Sequence, residues 1–257
     1  MRTFGCYTGP MLPVRTAFLG TGDAFSADGR HQSAYLVCSG ETSIMLDCGA
    51  TLLASLRRSG LSPGAIDAVL ISHLHGDHFA GIPFLFLEYC FSEPRMRPLL
   101  IAGPPGIEER VTVLFQAAYK DLAARALPFK LEFVEMLPDR QLQVGAAIVN
   151  PFKVPHQEEA ISLGFSLLIS GRKILYSGDT GWTEELVVQS QDADLFICEC
   201  SFFETRLPYH LDYPRLAENR KRFGAKRMIL THLGREVLAR RGEIEMELAT
   251  DGLIVDI

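Results

Sequence analysis

Three histidines and one aspartate lie within the short segment Ser72–His78. Imidazole nitrogens and carboxylate oxygens are the usual protein ligands of Zn²⁺ and related divalent ions. A segment this short cannot place four such groups around one tetrahedral ion, but it can divide them between two adjacent ions. The spacing therefore predicts a two-metal site whose first candidate ligands are His73, His75, Asp77 and His78.

Potential ligands follow several predicted strands at the point where each strand ends. The apolar run Ala68–Ile71 predicts a buried strand just before the histidine-rich segment. Other apolar runs end in Asp47, His156, Asp179 and His232. Taken alone, such a histidine is more often a surface residue, and such an aspartate is often a helix cap or turn residue. Because the same structural context recurs, we expect these side chains to converge on a single rim.

The bulk properties of the chain limit its function classes. Its 257 residues are 47% hydrophobic and 22% charged, which is typical of a globular protein with a substantial core. The net charge of −6 argues against a strongly basic nucleic-acid groove. Residues 214–227 hold the dense basic cluster, which we interpret as a solvated helix face. No apolar run is long enough to predict a membrane span.

The cysteines and the N-terminal residues indicate the cellular compartment. Six cysteines occur at no zinc-ribbon or disulfide-scaffold spacing, so we expect reduced thiols. Cys198 and Cys200 share one face of a predicted strand and are interpreted as small buried side chains. Residues 1–12 carry no targeting pattern and are expected to form a loose extension. These features predict a cytoplasmic protein.

Strand and helix signals predict one α/β domain over residues 13–257. The early strands are joined by short turns, whereas the later ones alternate with helical patterns. This mixture favours two sheets packed face to face with helices outside. The alternative is a simple doubly wound parallel sheet.

The order of these motifs resembles the metallo-β-lactamase fold superfamily, and the similarity runs from residues 19–24 to His232. This resemblance implies a four-layer αββα sandwich with a dinuclear site, holding two divalent ions that are zinc, or alternatively manganese or iron. Asp179 would bridge the ions, and Asp47 would orient a ligand imidazole by accepting its second N–H. The other ligands would divide between a first ion (His73, His75, His156) and a second ion (Asp77, His78, His232).

The resemblance narrows to the branch that contains the tRNA 3′-end endonuclease RNase Z and small bacterial phosphodiesterases. The residues that carry it lie at 19–36, 103–107 and 199–202. In that branch a glutamate after a late strand orients a histidine near the leaving group. Glu199 and His210 occupy these places here, so the resemblance implies that they form a general-acid pair.

Two features of the chain depart from RNase Z. Only the 22 residues 157–178 separate His156 from Asp179, where the endonuclease carries a long arm that grips tRNA. His31 stands where that family has asparagine. With the negative net charge, these departures favour a smaller substrate than tRNA.

Together these observations predict a metal-dependent hydrolase, specifically a phosphodiesterase for a small or nucleotide-like phosphodiester. Two ions roughly 3.5–4 Å apart would lower the pKa of a shared water and so provide a metal-bound hydroxide. Asp77 would accept its proton, and His210, with a pKa raised by Glu199, would protonate the leaving oxygen. The alternatives are a lactone or thioester hydrolase, an RNA 3′-processing endonuclease and a non-catalytic metal-binding protein. The resemblance is also compatible with a homodimer.

Overall fold

Two β-sheets of seven strands each form the centre of residues 12–257, the part of the chain that this computed structural model describes. The predicted extension at residues 1–12 lies outside the described residues, apart from the exposed Leu12. The strands, in chain order, are β1 (Arg15–Gly20), β2 (Ala34–Ser39), β3 (Thr42–Leu46), β4 (Ala68–Leu70), β5 (Leu99–Gly103), β6 (Leu131–Glu135), β7 (Leu142–Val144), β8 (Ala147–Val154), β9 (Ser162–Ile169), β10 (Arg172–Tyr176), β11 (Leu195–Glu199), β12 (Arg227–Thr231), β13 (Glu247–Leu248) and β14 (Leu253–Asp256).

Each sheet combines an antiparallel part with a parallel part. The first sheet has the order β14-β1-β2-β3-β4-β5-β6 and is parallel from β3 to β6. The second has the order β13-β12-β11-β10-β9-β8-β7 and is parallel from β10 to β13. Strand β8 is antiparallel to β9, which is antiparallel to β10, so β8 and β10 run in the same direction. The carboxyl ends of β8, β10, β11 and β12 therefore lie along one edge of the second sheet.

Helices cover the outer face of each sheet. They are α1 (Leu52–Arg58), α2 (Gly76–Phe79), α3 (Ile82–Phe91), α4 (Ile107–Ala118), α5 (Lys120–Ala123), α6 (Glu184–Gln189), α7 (Tyr213–Asn219) and α8 (Arg235–Ala239). Helices α1, α3 and α4 pack on the first sheet, and α6, α7 and α8 pack on the second. No helix of residues 12–257 is long and apolar enough to cross a lipid bilayer.

The apolar side chains form three packed layers. The central one lies between the sheets and includes Tyr35, Phe165 and Tyr176. The other two join each sheet to its helices, with Phe86 in one and Phe196 in the other. This arrangement is an αββα sandwich, which confirms the predicted fold class.

One predicted helix differs from expectation. The apolar run 79–91 predicts a single buried helix, but α2 ends at Phe79 and α3 begins at Ile82, with Gly81 between them. A Cβ at Gly81 would lie 2.4 Å from the carbonyl oxygen of Gly49, so the chain needs glycine at this close approach. The end of α3 is also less buried than expected, since Phe91 is 66% exposed.

The basic cluster at residues 214–227 lies on the surface, and three of its six cations form ion pairs. Lys226 Nζ is 2.7 Å from Asp194 Oδ1, and Arg227 makes two hydrogen bonds to Glu247. Another ion pair joins Arg222 to a glutamate of α6. These contacts agree with a solvated face.

Candidate metal centre

The topology brings the predicted ligands to one edge of the sandwich. His73 and His75 lie in the segment between β4 and α2, whereas Asp77 and His78 lie on the single turn of α2. The remaining three ligands follow the carboxyl ends of β8, β10 and β12 in the second sheet, and these are His156, Asp179 and His232.

Tight backbone turns follow the strands that carry these residues. Asp47 has a φ of 57° and His232 a φ of 54°, a left-handed conformation that is uncommon for residues other than glycine. Gly178, just before Asp179, has a φ of 59°, and a Cβ there would lie 2.6 Å from the Leu163 carbonyl oxygen. Strained conformations of this kind concentrate at functional sites, where the surrounding structure holds them in place.

Three imidazoles form the first half of the centre. Nδ1 of His75 lies 3.0 Å from Nε2 of His73 and 3.1 Å from Nε2 of His156. Nitrogens bound at about 2.0–2.1 Å to one tetrahedral ion would lie roughly 3.3 Å apart, so these atoms are placed to share an ion. Burial lowers the pKa of all three histidines, which favours the neutral form that binds a cation.

Two carboxylates and two imidazoles form the second half. Nε2 of His78 lies 3.2 Å from Asp77 Oδ2 and 3.3 Å from Asp179 Oδ2. Nε2 of His232 lies 3.3 Å from each of the same two oxygens. Asp179 Oδ2 is also 3.9 Å from His73 Nε2, which places this carboxylate between the two halves.

The electrostatics of the second half differ from those of the first. Burial would lower the pKa of His232, but Asp179 and Asp77 raise it to about 9. The pKa of His78 is likewise raised against the effect of burial, chiefly by Asp179 and Asp77. Burial would raise the pKa of Asp77, yet the adjacent His78 and His232 keep it well below its usual range. The second half therefore presents anionic oxygens to a cation.

Two buried atoms of the centre show that the residues fit metal ions. Within residues 12–257, His78 Nε2 and Asp179 Oδ1 have no hydrogen-bond partner although both are shielded from solvent. An unsatisfied buried polar group is costly, and a carboxylate oxygen is especially so. Divalent cations between these groups would satisfy both atoms. The donor set of imidazoles and carboxylates thus indicates divalent metal ions as the cofactor class.

Asp47 lies behind the second half and is fully buried. Its Oδ2 lies 2.7 Å from Nδ1 of His78, so it accepts that N–H and leaves Nε2 facing the centre. The same carboxylate accepts hydrogen bonds from the Ser72 N–H, the Ser72 hydroxyl and the Tyr176 hydroxyl. These contacts are those expected of the orienting role that the resemblance implies.

The other ligand imidazoles also have a second partner. Nδ1 of His156 donates to the Tyr209 carbonyl oxygen at 2.9 Å, and the side-chain amide of Gln157 lies 3.0 Å from Nε2 of His75. Nδ1 of His232 lies 2.9 Å from the Ser201 hydroxyl. The sequence did not reveal these contacts, because partners such as Tyr209 and Ser201 are distant along the chain and their residue types are not diagnostic.

Ser201 connects the metal centre to the Glu199–His210 pair. Its hydroxyl accepts from Nδ1 of His232 and donates to Glu199 Oε2 at 2.7 Å. Glu199 Oε1 lies 3.0 Å from Nδ1 of His210 and accepts the Thr180 N–H at 2.6 Å. Burial would lower the pKa of His210, but Glu199 raises it overall. One serine thus contacts both a candidate ligand and the glutamate that holds a candidate proton donor.

The loop that carries His210 is held by α8. The Glu236 carboxylate accepts hydrogen bonds from the N–H groups of Phe203, Glu204 and Thr205 and from the Thr205 hydroxyl. His210 lies in the wall of a cavity of about 380 Å³, together with Asp77, Asp179 and His232. The cavity thus brings a candidate proton donor to the same space as the candidate ligands.

Comparison with known proteins identifies the family. The family model described as "Anti-Pycsar protein Apyc1" matches residues 14–253. The chain belongs to this family. The family match includes every predicted site residue and, apart from the end of β14, both sheets.

Curated relatives and solved structures place the family in a wider group. Ribonuclease Z of Lachnoclostridium phytofermentans is 26% identical over 276 aligned positions, covering 86% of this chain and 87% of the relative. The structure of human tRNase Z, short form (ELAC1), has a TM-score of 0.75 and 27% identity, covering 94% of this chain and 98% of that one. The metallo-β-lactamase fold protein YhfI of Bacillus subtilis has a TM-score of 0.76 and 23% identity, and the alignment covers 96% of this chain and 100% of YhfI.

These findings confirm the predicted resemblance and enzyme class. The Apyc1-family chain is a metal-dependent hydrolase of the metallo-β-lactamase fold, in the branch that contains RNase Z. The roles of the individual site residues are proposals.

Proposed function

We propose that this protein is a phosphodiesterase that hydrolyses a small or nucleotide-like phosphodiester. The observation that carries the proposal is the joint placement of two ligand clusters, a shared Asp179 and the Glu199–His210 pair around one cavity. Two bound divalent ions, zinc or alternatively manganese or iron, would polarise a phosphoryl oxygen and activate a water for in-line attack.

The protein side chains supply the proton transfers. Asp77 lines the cavity, so its carboxylate is within the space where the attacking water would lose its proton, and we assign it as the acceptor. Nδ1 of His210 forms a hydrogen bond with Glu199, so the other ring nitrogen, Nε2, is the one that would donate its proton to the departing oxygen. Glu199 is buried and fixed by Thr180 and Ser201, so it orients His210 and stabilises its protonated form.

The size of the cavity supports a small substrate. Its volume of about 380 Å³ suits a mononucleotide such as a cyclic nucleotide. Between His156 and Asp179 the chain forms β9 and β10 with short connections, so no additional arm projects there. The negative net charge also provides no broad field to attract a tRNA body.

RNA 3′-end processing is the second candidate function. It is favoured by the 26–27% identity to proteins named Ribonuclease Z and tRNase Z over nearly their whole lengths. Acyl hydrolysis is a further alternative, because an activated water can attack a carbonyl carbon as well as phosphorus.

A substrate panel separates these functions. Metal-reconstituted protein would be assayed with bis(p-nitrophenyl) phosphate, cyclic nucleotides, a precursor tRNA, a lactone and S-lactoylglutathione, with Asp179→Asn as the matched inactive control. We expect the small phosphodiesters to give the highest kcat/KM. Preferential cleavage of precursor tRNA would support the second candidate, whereas preference for the carbonyl substrates would refute the phosphodiesterase proposal.

A further inference from the structure

Phe25 is an exposed aromatic side chain at the mouth of the metal-centre cavity. It is 82% exposed, the highest value among the large hydrophobic side chains of residues 12–257, and it lines the same cavity as His75 and Asp77. Exposing an aromatic ring forgoes a large burial energy, so its position next to a ligand site calls for a functional explanation.

A rigid turn holds Phe25 in this position. Asp23 Oδ1 accepts the N–H of Phe25 at 3.1 Å and the N–H of Ala27 at 3.0 Å. Ser26 and Asp28 have φ values of 52° and 54°, both in the left-handed region. Because the surrounding turn fixes this conformation, the ring is presented to solvent by a preorganised backbone.

The turn is also attached directly to the metal centre. The Leu233 N–H donates to the Thr21 carbonyl oxygen at 2.9 Å, and Leu233 immediately follows His232. Gly22 forms a parallel bridge with Leu233. The position of Phe25 is therefore coupled through two short backbone segments to a candidate ligand.

Two other side chains at the cavity mouth, Phe202 and Glu236, already contact other parts of the protein. The ring of Phe202 packs edge-on against the His210 ring, with centroids 5.8 Å apart. The Glu236 carboxylate is occupied by the loop that carries His210. The exposed Arg235 adds a cation at this mouth, which favours an anionic ligand. Phe25 and Arg235 thus bring an aromatic ring and a positive charge to the wall of one cavity.

We propose that Phe25 is the stacking surface for the base of a nucleotide whose phosphate lies at the metal centre. This inference rests on the proposed phosphodiesterase function and adds to it the residue that contacts the base. Every base has a π-face, so a single aromatic ring binds different bases with little discrimination. Losing such a stacking contact reduces affinity roughly 5- to 150-fold.

Equilibrium binding tests the proposal without requiring turnover. Calorimetry would compare AMP with ribose 5-phosphate, which has the same phosphate and sugar but no base, on protein loaded with Zn²⁺ or Mn²⁺. The wild type should bind AMP more tightly. Phe25→Ala should weaken AMP binding roughly 5- to 150-fold and change ribose 5-phosphate binding less than about twofold. Phe25→Trp keeps an aromatic ring and should retain AMP binding.

Phe91→Ala is the matched control, because Phe91 is an exposed phenylalanine on α3 that does not line the cavity. It should leave both affinities unchanged. Equal affinity of the wild type for the two ligands, or an equal loss for both in Phe25→Ala, would overturn the proposal. If base-dependent binding is found but the substrate panel shows no phosphodiester cleavage, the proposed function fails while the stacking site stands.

Discussion

Each ligand imidazole uses one ring nitrogen for the metal centre and the other for a hydrogen-bonding partner. His73 pairs with Ser72, and His78 pairs with Asp47, both within the segments that the sequence singled out. His232 instead pairs with Ser201, which the sequence identified only as part of a resembling motif. Fixing an imidazole in this way sets its tautomer and orientation, so the partner contributes to metal affinity.

Ser201→Ala should weaken metal binding because Nδ1 of His232 loses its acceptor. Loss of such a supporting contact typically reduces metal affinity about 10–100-fold. The dissociation constants of the metal would be measured by competition with a chromophoric chelator. Ser201→Thr retains the hydroxyl and should restore affinity. Unchanged affinity in the alanine variant would show that Ser201 does not position the ligand.

His210→Ala should slow the reaction while both metal ions remain bound. General-acid assistance is worth about 10²–10⁴ in rate, and substrates with poor leaving groups need it most. We therefore expect kcat to fall more for a cyclic nucleotide than for bis(p-nitrophenyl) phosphate. Metal content and steady-state kinetics would be measured on the same preparation. A parallel loss of metal and activity would contradict the assignment of His210 as the proton donor.

At the residue scale, the sequence predicted the candidate ligands better than their surroundings. The ligands could be found because histidine and aspartate are rare at strand ends in this combination, and their order resembles a known family. The carbonyl oxygen of Tyr209 and the hydroxyl of Ser201 carry no such signal. Only the fold brings them within hydrogen-bond distance of His156 and His232.

Short elements and loops determine how His210 reaches the cavity. The loop after β11 carries His210, and Glu236 of α8 holds its first residues through three backbone N–H groups. Burial would raise the pKa of Glu236, but the hydrogen bonds from Thr205, Glu204 and Phe203 lower it to about 2. A carboxylate with a lowered pKa stabilises the folded state only while it is ionised.

Glu236→Gln should therefore reduce stability in a pH-dependent way. The contribution of Glu236 is complete above its ordinary pKa of 4.5, and it is lost progressively as the pH falls through 4.5 towards 2. Urea unfolding of metal-free wild type and variant should show a stability difference at pH 6 that shrinks by pH 3.5. Glu243→Gln serves as the control, because Glu243 is an exposed glutamate a few residues after the end of α8. A difference that is independent of pH would contradict this role of the charge.

At the element scale, sequence patterns located the apolar strands and missed short strands that are partly exposed. The largely apolar run 162–169 predicts a strand, and the structure forms β9 over Ser162–Ile169 with one exposed residue. Strands β7, β13 and β14 were not predicted, since each has two to four residues that are partly exposed and carry no continuous apolar run. The equally short β4 was predicted because all three of its residues are apolar and buried. The break between α2 and α3 also escaped prediction because it depends on the close approach of Gly81 to Gly49.

At the scale of the whole molecule, the two sheets supply different parts of one site. The first sheet and α2 carry Asp47 and the histidine-rich segment, whereas the second sheet carries His156, Asp179, His232 and the Glu199–His210 pair. The Tyr176 hydroxyl donates to Asp47 across the interface between the sheets. The site therefore exists only when both sheets are packed together, and metal binding should stabilise that packing.

The central claim is that both sheets together hold two metal ions that are needed for hydrolysis. The most direct measurement is a titration of the metal-free protein with Zn²⁺ and, separately, Mn²⁺, in which bound metal and bis(p-nitrophenyl) phosphate hydrolysis are followed together. We predict saturation at two ions per chain, with full activity reached only at that stoichiometry. Saturation below two ions per chain, or hydrolysis that persists in the metal-free protein, would contradict the claim.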